Sequence, residues 1–190
     1  MKLLHLDSSA LGANSVSRQI TAAIVEQQRR ANPAVEVLRR DLDTDALPHL
    51  SSATFGNEAA AAESAAVLEE FLAADTVVIG APMYNFAIPS ALKAWIDRIT
   101  VAGKTFRYTE AGPEGLVPDK TVIVAIAAGG DHAGQPTDFI EPYLRFIFGF
   151  LGVRALRFVR ADGVSISPER RAAAIEAAMA GLREPLSRAA

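Results

Sequence analysis

Thr76-Val77-Val78-Ile79-Gly80-Ala81-Pro82-Met83-Tyr84-Asn85-Phe86 is the stretch that decides the fold. Its first half is a short apolar run with little polar interruption, the pattern of a strand covered on both faces. Its second half carries two aromatic rings, one thioether and one amide side chain. Ala87-Ile88-Pro89 follows and leads into residues 90–101, where Leu92, Trp95, Ile96 and Ile99 share one helical stripe. A strand therefore hands a ring-bearing loop to a helix N-terminus. In an open parallel sheet that junction lies at the carboxyl edge, where flat ligands bind.

The alternation continues in both directions. Residues 2–7, 35–42, 76–81, 121–127 and 155–159 read as strands. Residues 15–31, 57–74, 90–101, 137–151 and 168–188 read as helices. Strands separated by helices pair in parallel through right-handed crossovers. The expected fold is α/β: a flavodoxin-like, doubly wound, five-stranded parallel sheet of order 2-1-3-4-5 with helices on both faces. Residues 103–119 are the one long excursion. Thr105-Phe106-Arg107-Tyr108-Thr109 and Gly112-Pro113-Glu114-Gly115 suggest a short hairpin there. No repeat or linker interrupts the chain, so one domain over residues 1–190 is expected.

Composition removes several function classes. The chain has no cysteine, which excludes disulfides, thiolate nucleophiles and cysteine-ligated metals. His5, His49 and His132 are scattered, so no histidine-based metal site is expected. A net charge of −3 argues against nucleic acid as a partner. No apolar stretch has the length of a membrane span, and the N-terminus lacks the pattern of a signal peptide. A cytoplasmic location is the expectation. No Gly-x-Ser-x-Gly elbow exists for serine hydrolysis.

The first strand runs into Ser8-Ser9-Ala10-Leu11-Gly12-Ala13-Asn14-Ser15-Val16-Ser17-Arg18. Hydroxyls and unpaired amides at a helix N-terminus suit a phosphate dianion. Ser9, Ser15 and Ser17 are the expected ligands, with the Val16 amide beside them and Arg18 as a charge partner. The loop is neither a Walker A sequence nor Gly-x-Gly-x-x-Gly, which points to a single phosphate. A competing reading makes Ser15 only a helix cap.

In the third loop, Pro82, Met83, Tyr84, Asn85 and Phe86 would border a planar heteroaromatic. Asn85 can both donate and accept at a ring edge, and Met83 and Phe86 offer apolar contact. That inventory favours a flavin, although Met83 and Phe86 also fit a core. The fourth strand ends in Ala127-Ala128-Gly129-Gly130, where glycines let backbone approach a ligand; a plain turn is the alternative. His132 follows, either as a proton donor to substrate or as a solvated loop residue.

The combination resembles the FMN-dependent NADH:quinone oxidoreductases known as azoreductases, which have a flavodoxin-like fold. The carrying motifs are Ser8-Ser9 with Ser15-Val16-Ser17, Ala81 to Phe86, Phe106-Arg107-Tyr108-Thr109-Glu110 with Gly112-Pro113-Glu114-Gly115-Leu116, and Gly129-Gly130. The resemblance implies FMN as bound cofactor, NADH or NADPH as donor, quinones and azo compounds as acceptors, and two-electron ping-pong hydride transfer. FMN phosphate would sit on Ser9 and residues 15–17, and the ring along residues 82–86 and 127–130. The family's Ser-Arg pair before the two glycines is replaced here by Ala127-Ala128, so only backbone can serve there. The family works as a homodimer. Tyr108, Phe148 and Phe150 are then expected to cover the partner's site, with monomer core as the other place for the phenylalanines. The flavin would do the chemistry, with Asn85, Tyr108 and His132 as possible helpers. The alternatives are a flavodoxin-like electron carrier and a flavin reductase.

Overall fold

A computed structural model describes residues 1–52, 54 and 57–182. The main sheet contains β1 (Lys2–Asp7), β2 (Glu36–Asp41), β3 (Thr76–Pro82), β6 (Thr121–Ala128) and β7 (Ala155–Asp162). All of its pairs are parallel, in the order β2-β1-β3-β6-β7. Counting sheet strands alone, this is the expected 2-1-3-4-5. The excursion forms an antiparallel hairpin, β4 (Phe106–Thr109) and β5 (Gly112–Gly115), apart from the main sheet.

Five α-helices, α1 (Val16–Ala31), α2 (Glu58–Ala73), α3 (Ser90–Ile99), α4 (Ile140–Phe150) and α5 (Pro168–Gly181), and one turn of 3-10 helix at Gly12–Asn14 complete the described elements. Period-two alternation along β1 and β3 divides the apolar side chains between two cores. Leu4, Leu6, Val77 and Ile79 meet Phe71 of α2, Trp95 of α3 and Phe148 of α4 on one face. Leu3 and Val78 meet Ile20 and Ile24 of α1 and Ala178 of α5 on the other. β3 is buried along its whole length, which is why its sequence is an apolar run and not an alternation.

Among the described residues, boundaries differ from expectation by three residues in two places and by one or two elsewhere. α4 begins at Ile140, not 137, because residues 132–138 fold into turns in which Gln135 N–H reaches His132 O and Asp138 N–H reaches Gln135 O. β7 runs on to Asp162, because Ala128 still pairs with it there. The expected last part of the final helix, residues 183–188, lies outside the described residues.

The hairpin is seated by backbone contact. Leu116 N–H donates to Thr105 O and Val117 N–H to Leu151 O, at 2.9 and 3.1 Å. A Cβ on Gly115 would fall 2.1 Å from Gly152 N, so only glycine allows this approach.

Candidate functional site

The site forms where the carboxyl ends of β1, β3 and β6 open toward the N-termini of α1 and α3. Ser8, Ser9, Ser15 and Ser17 are all buried in the first loop and first helical turn. Ser8 Oγ donates to Gly80 O at 2.6 Å and ties the loop to β3. Ser15 is the N-cap of α1: its Oγ accepts from Arg18 N–H at 3.2 Å and lies 3.1 Å from Ser17 Oγ. The capping reading and the ligand reading of Ser15 are therefore compatible. The cap leaves Val16 and Ser17 N–H in the first turn, where a helix has no carbonyl to offer.

Arg18 departs from expectation. Its guanidinium grips Asp41, Nη1 to Oδ2 at 2.5 Å and Nη2 to Oδ1 at 2.7 Å. The Asp41 hydrogen bonds raise its pKa above the usual arginine value. A cation committed in this way is not a free charge partner for a phosphate.

The aromatic loop is a tight reversal. Tyr84 N–H donates to Ala87 O and Ala87 N–H to Tyr84 O, both at 3.0 Å. The two residues between them have positive φ, Asn85 at 50° and Phe86 at 67°. Such mirror-image turns favour Asn and Gly. A phenylalanine there is strained by about 1–3 kcal/mol, and strain of this kind collects at ligand sites. Phe86 is half exposed and meets the His132 ring edge to face, with centroids 5.6 Å apart. Asn85 is exposed, and its side chain has no hydrogen-bond partner among the described residues.

Tyr84 was expected beside a ring. Its hydroxyl reaches back to the first loop, 3.1 Å from both Ser9 Oγ and Ala10 N. Loops 75 residues apart in sequence are thus joined at one edge of the sheet. Met83 N–H donates to Ala127 O at 2.8 Å, which ties the start of the third loop to the end of β6. The Gly129 and Gly130 carbonyls accept from Ser165 and Gly163, and their N–H groups have no acceptor among the described residues. Pro82, Ala127 and Ala128 are buried and supply backbone only. His132 Nδ1 lies 2.8 Å from Thr137 Oγ1, and Nε2 sits 3.0 Å from where a Gly130 Cβ would be.

The expected lid residues divide. Phe148 is completely buried in the core between α4 and the sheet, so it cannot cover a neighbouring site. Phe150 is half-buried and packs on Phe106 at 4.7 Å, while Tyr108 stands out from the hairpin, 75% exposed. The sequence reading missed Phe139 and Phe146, both largely exposed. A helical count finds them. With Leu144, Phe148 and Leu151 facing inward, Phe139, Tyr143, Phe146 and Phe150 recur at i, i+4, i+7 and i+11 on another face.

Among the described residues, no group of three His, Asp or Glu side chains is placed to hold a metal ion. No described helix is long and apolar enough to cross a membrane.

Comparison with known proteins agrees with this fold. A family model described as a flavodoxin-like fold matches residues 1–186. FMN-dependent NADH:quinone oxidoreductase 1 of Xanthomonas axonopodis pv. citri (strain 306) is 63% identical over 188 residues, spanning 97% of this chain and 96% of that protein. The protein of the same name from Pseudomonas putida (strain KT2440) is 54% identical and covers both chains fully. Among solved structures, an azoreductase from Bacillus anthracis str. Sterne superposes with a TM-score of 0.87 at 30% identity, covering 96% of each chain. An FMN-dependent NADH-azoreductase from Bacillus anthracis str. Ames Ancestor, solved in complex with FMN, gives 0.86 at 26% identity, covering 98% of each. The chain belongs to the flavodoxin-like family that contains the FMN-dependent NADH:quinone oxidoreductases.

Proposed function

We propose that the chain is an FMN-dependent NADH:quinone oxidoreductase that also reductively cleaves azo compounds. The observation that carries this is the Tyr84 bridge to Ser9 and Ala10, which makes a phosphate-sized donor cluster and a ring-bearing loop into one site. The donor set fits FMN. Buried hydroxyls and first-turn amides suit one phosphate, and the Gly129 and Gly130 amides with the Asn85 side chain suit the hydrogen-bonding edges of a flat ring.

Bound FMN supplies hydride transfer between a reduced nicotinamide and the acceptor. The protein's part is placement. Ser9, Ser15, Ser17 and the Val16 amide hold the phosphate. Met83, Tyr84 and Phe86 present apolar surface along the ring, and Ala127 to Gly130 line its other edge with backbone. Asn85 offers a donor and an acceptor within the same turn. His132, oriented through Nδ1 by Thr137, can hold a proton at Nε2 for the acceptor. One cleft serves donor and acceptor in turn, so ping-pong kinetics are expected.

The working unit in this reading is a homodimer. Phe139, Phe146 and Tyr108, exposed by 60, 72 and 75%, are the aromatic surface that a second copy would cover. Tyr108 and Phe150 are the residues assigned to the neighbouring site. A cytoplasmic location goes with a nicotinamide nucleotide donor.

The test is steady-state oxidation of NADH and NADPH by FMN-loaded protein with benzoquinone, and separately with an azo dye. Parallel double-reciprocal lines are expected. A flavin-loaded sample that leaves both nucleotides unoxidised with quinone present overturns the reading.

A further inference from the structure

We infer that Arg18 is a positioning residue for the FMN phosphate, acting through the Ser9 carbonyl and not as a cation on the phosphate itself. This rests on the FMN reading above. The guanidinium has five N–H donors, and four of them are committed to hydrogen bonds. Nε and one Nη2 hydrogen go to Ser9 O at 3.2 and 2.8 Å. The second Nη2 hydrogen and one Nη1 hydrogen go to the two Asp41 oxygens at 2.7 and 2.5 Å. Asp7 Oδ2 lies 3.5 Å from Nη1 and Asp43 Oδ2 4.0 Å from Nη2, as ion pairs without a hydrogen bond. One carboxylate and one carbonyl thus take four of the five donors, and two further carboxylates surround the fork.

The same residue holds both ends of the phosphate loop. Its backbone N–H is capped by Ser15 Oγ, which sets the start of α1. Its side chain fixes the Ser9 carbonyl at the start of the loop, next to Ser8, which is tied to β3. Asp41 in turn accepts from Asp43 N–H at 3.2 Å and closes the end of β2. Arg18 therefore braces Ser9 against β2 while Ser15 and Ser17 are placed by the helix. Neutral donors bind a phosphate well only when held within a few tenths of an ångström, so the brace sets affinity without lending charge.

Asp41 distinguishes the two roles, because they predict opposite signs. If Arg18 were a cation on the phosphate, Asp41→Asn would free its charge and tighten FMN. If Arg18 is a brace, Asp41→Asn loosens the loop and weakens FMN.

The experiment titrates apo-protein with FMN and with riboflavin, which lacks the phosphate, and follows quenching of flavin fluorescence. The proteins are wild type, Arg18→Met, Arg18→Lys, Asp41→Asn and the Arg18→Met/Asp41→Asn double variant. Arg18→Met and Asp41→Asn are each expected to weaken FMN about tenfold or more, as losses of supporting contacts do, with riboflavin changed by less than about twofold. The double variant is expected to be no weaker than Arg18→Met, since both remove one interaction. Arg18→Lys keeps the charge without the fork and is expected to behave as Arg18→Met.

Tighter FMN binding by Asp41→Asn overturns the inference. Wild-type preference for FMN over riboflavin in both single variants does the same, as does a parallel loss of FMN and riboflavin. Circular dichroism checks the fold, and if Arg18→Met does not fold, Arg18→Lys and Asp41→Asn decide. A wild type that binds neither flavin overturns the FMN reading itself, which is a separate result.

Discussion

Asp7 ends β1 directly under the phosphate loop, and it is 1% exposed. Burial by itself raises a carboxyl pKa. Here the His5 ring, the Arg39 guanidinium and the Thr21 hydroxyl outweigh burial and bring Asp7 from 3.8 down to about 2. Thr21 Oγ1 donates to it at 2.9 Å and Arg39 Nη2 at 3.0 Å. His5 Nε2 lies 3.3 Å away.

A carboxylate depressed in the folded state stabilises the fold fully above its unfolded pKa and loses that contribution as pH falls toward the folded one. From 3.8 and about 2, the contribution is about 2 kcal/mol at pH 7 and about 1 kcal/mol at pH 3. Asp7→Asn removes the charge at nearly constant volume, so comparison with wild type cancels the titration of every other carboxylate. Urea unfolding of both proteins between pH 7 and pH 3 is the assay. Asp7→Asn is expected to be less stable by at least about 2 kcal/mol at pH 7, with the gap closing by about 1 kcal/mol at pH 3. Stability curves that stay parallel across that range refute the account of Asp7 as a paired, ionised core group.

Three further outcomes follow from particular contacts. Phe148→Ala opens a core cavity and is expected to cost about 3–5 kcal/mol, whereas Phe146→Ala changes chain stability by less than about 0.5 kcal/mol and shifts light-scattering mass toward the monomer. The reverse ranking would contradict the two faces assigned to α4. Gly115→Ala drives a methyl into the Gly152 backbone and is expected to cost about 2–4 kcal/mol, with new tryptic cleavage at Arg107. A wild-type melting temperature would show that the hairpin is not seated there. Tyr84→Phe removes the hydroxyl from Ser9 and Ala10, worth about 1 kcal/mol and about 2–4 °C in melting temperature. It should also weaken FMN, and an unchanged FMN titration would separate Tyr84 from the site.

Strands β1, β3 and β6 were legible in the sequence because burial on both sides demands apolar side chains at consecutive positions. Helix starts were legible where a cap stands in the sequence, as at Ser15, Asn57 and Ser167, each of which accepts from the N–H three residues on. The start of α4 was not. Its N-terminal approach is a run of turns held partly from outside, with Arg160 of β7 on Asp138 at 2.8 Å. Phe148 had two places open to it, lid or core, and its phase on α4 beside Leu144 and Leu151 puts it in the core.

By itself the sequence determined the layer order, the serine-rich loop at the first helix and the ring-bearing loop after the third strand. Each of these is written in neighbouring residues and read by local rules of burial, capping and turn formation. Tertiary structure alone decided what those pieces do to one another. It sent the Tyr84 hydroxyl to Ser9, because only the parallel pairing of β1 with β3 brings those loops together. It also committed Arg18, expected as a charge partner for the phosphate, to Asp41 and the Ser9 carbonyl. A guanidinium at a helix start takes whichever anions the fold places nearest, and β2 delivers Asp41 within 2.5 Å. Charge type is local, but the partner of a charge is set by distance across the fold.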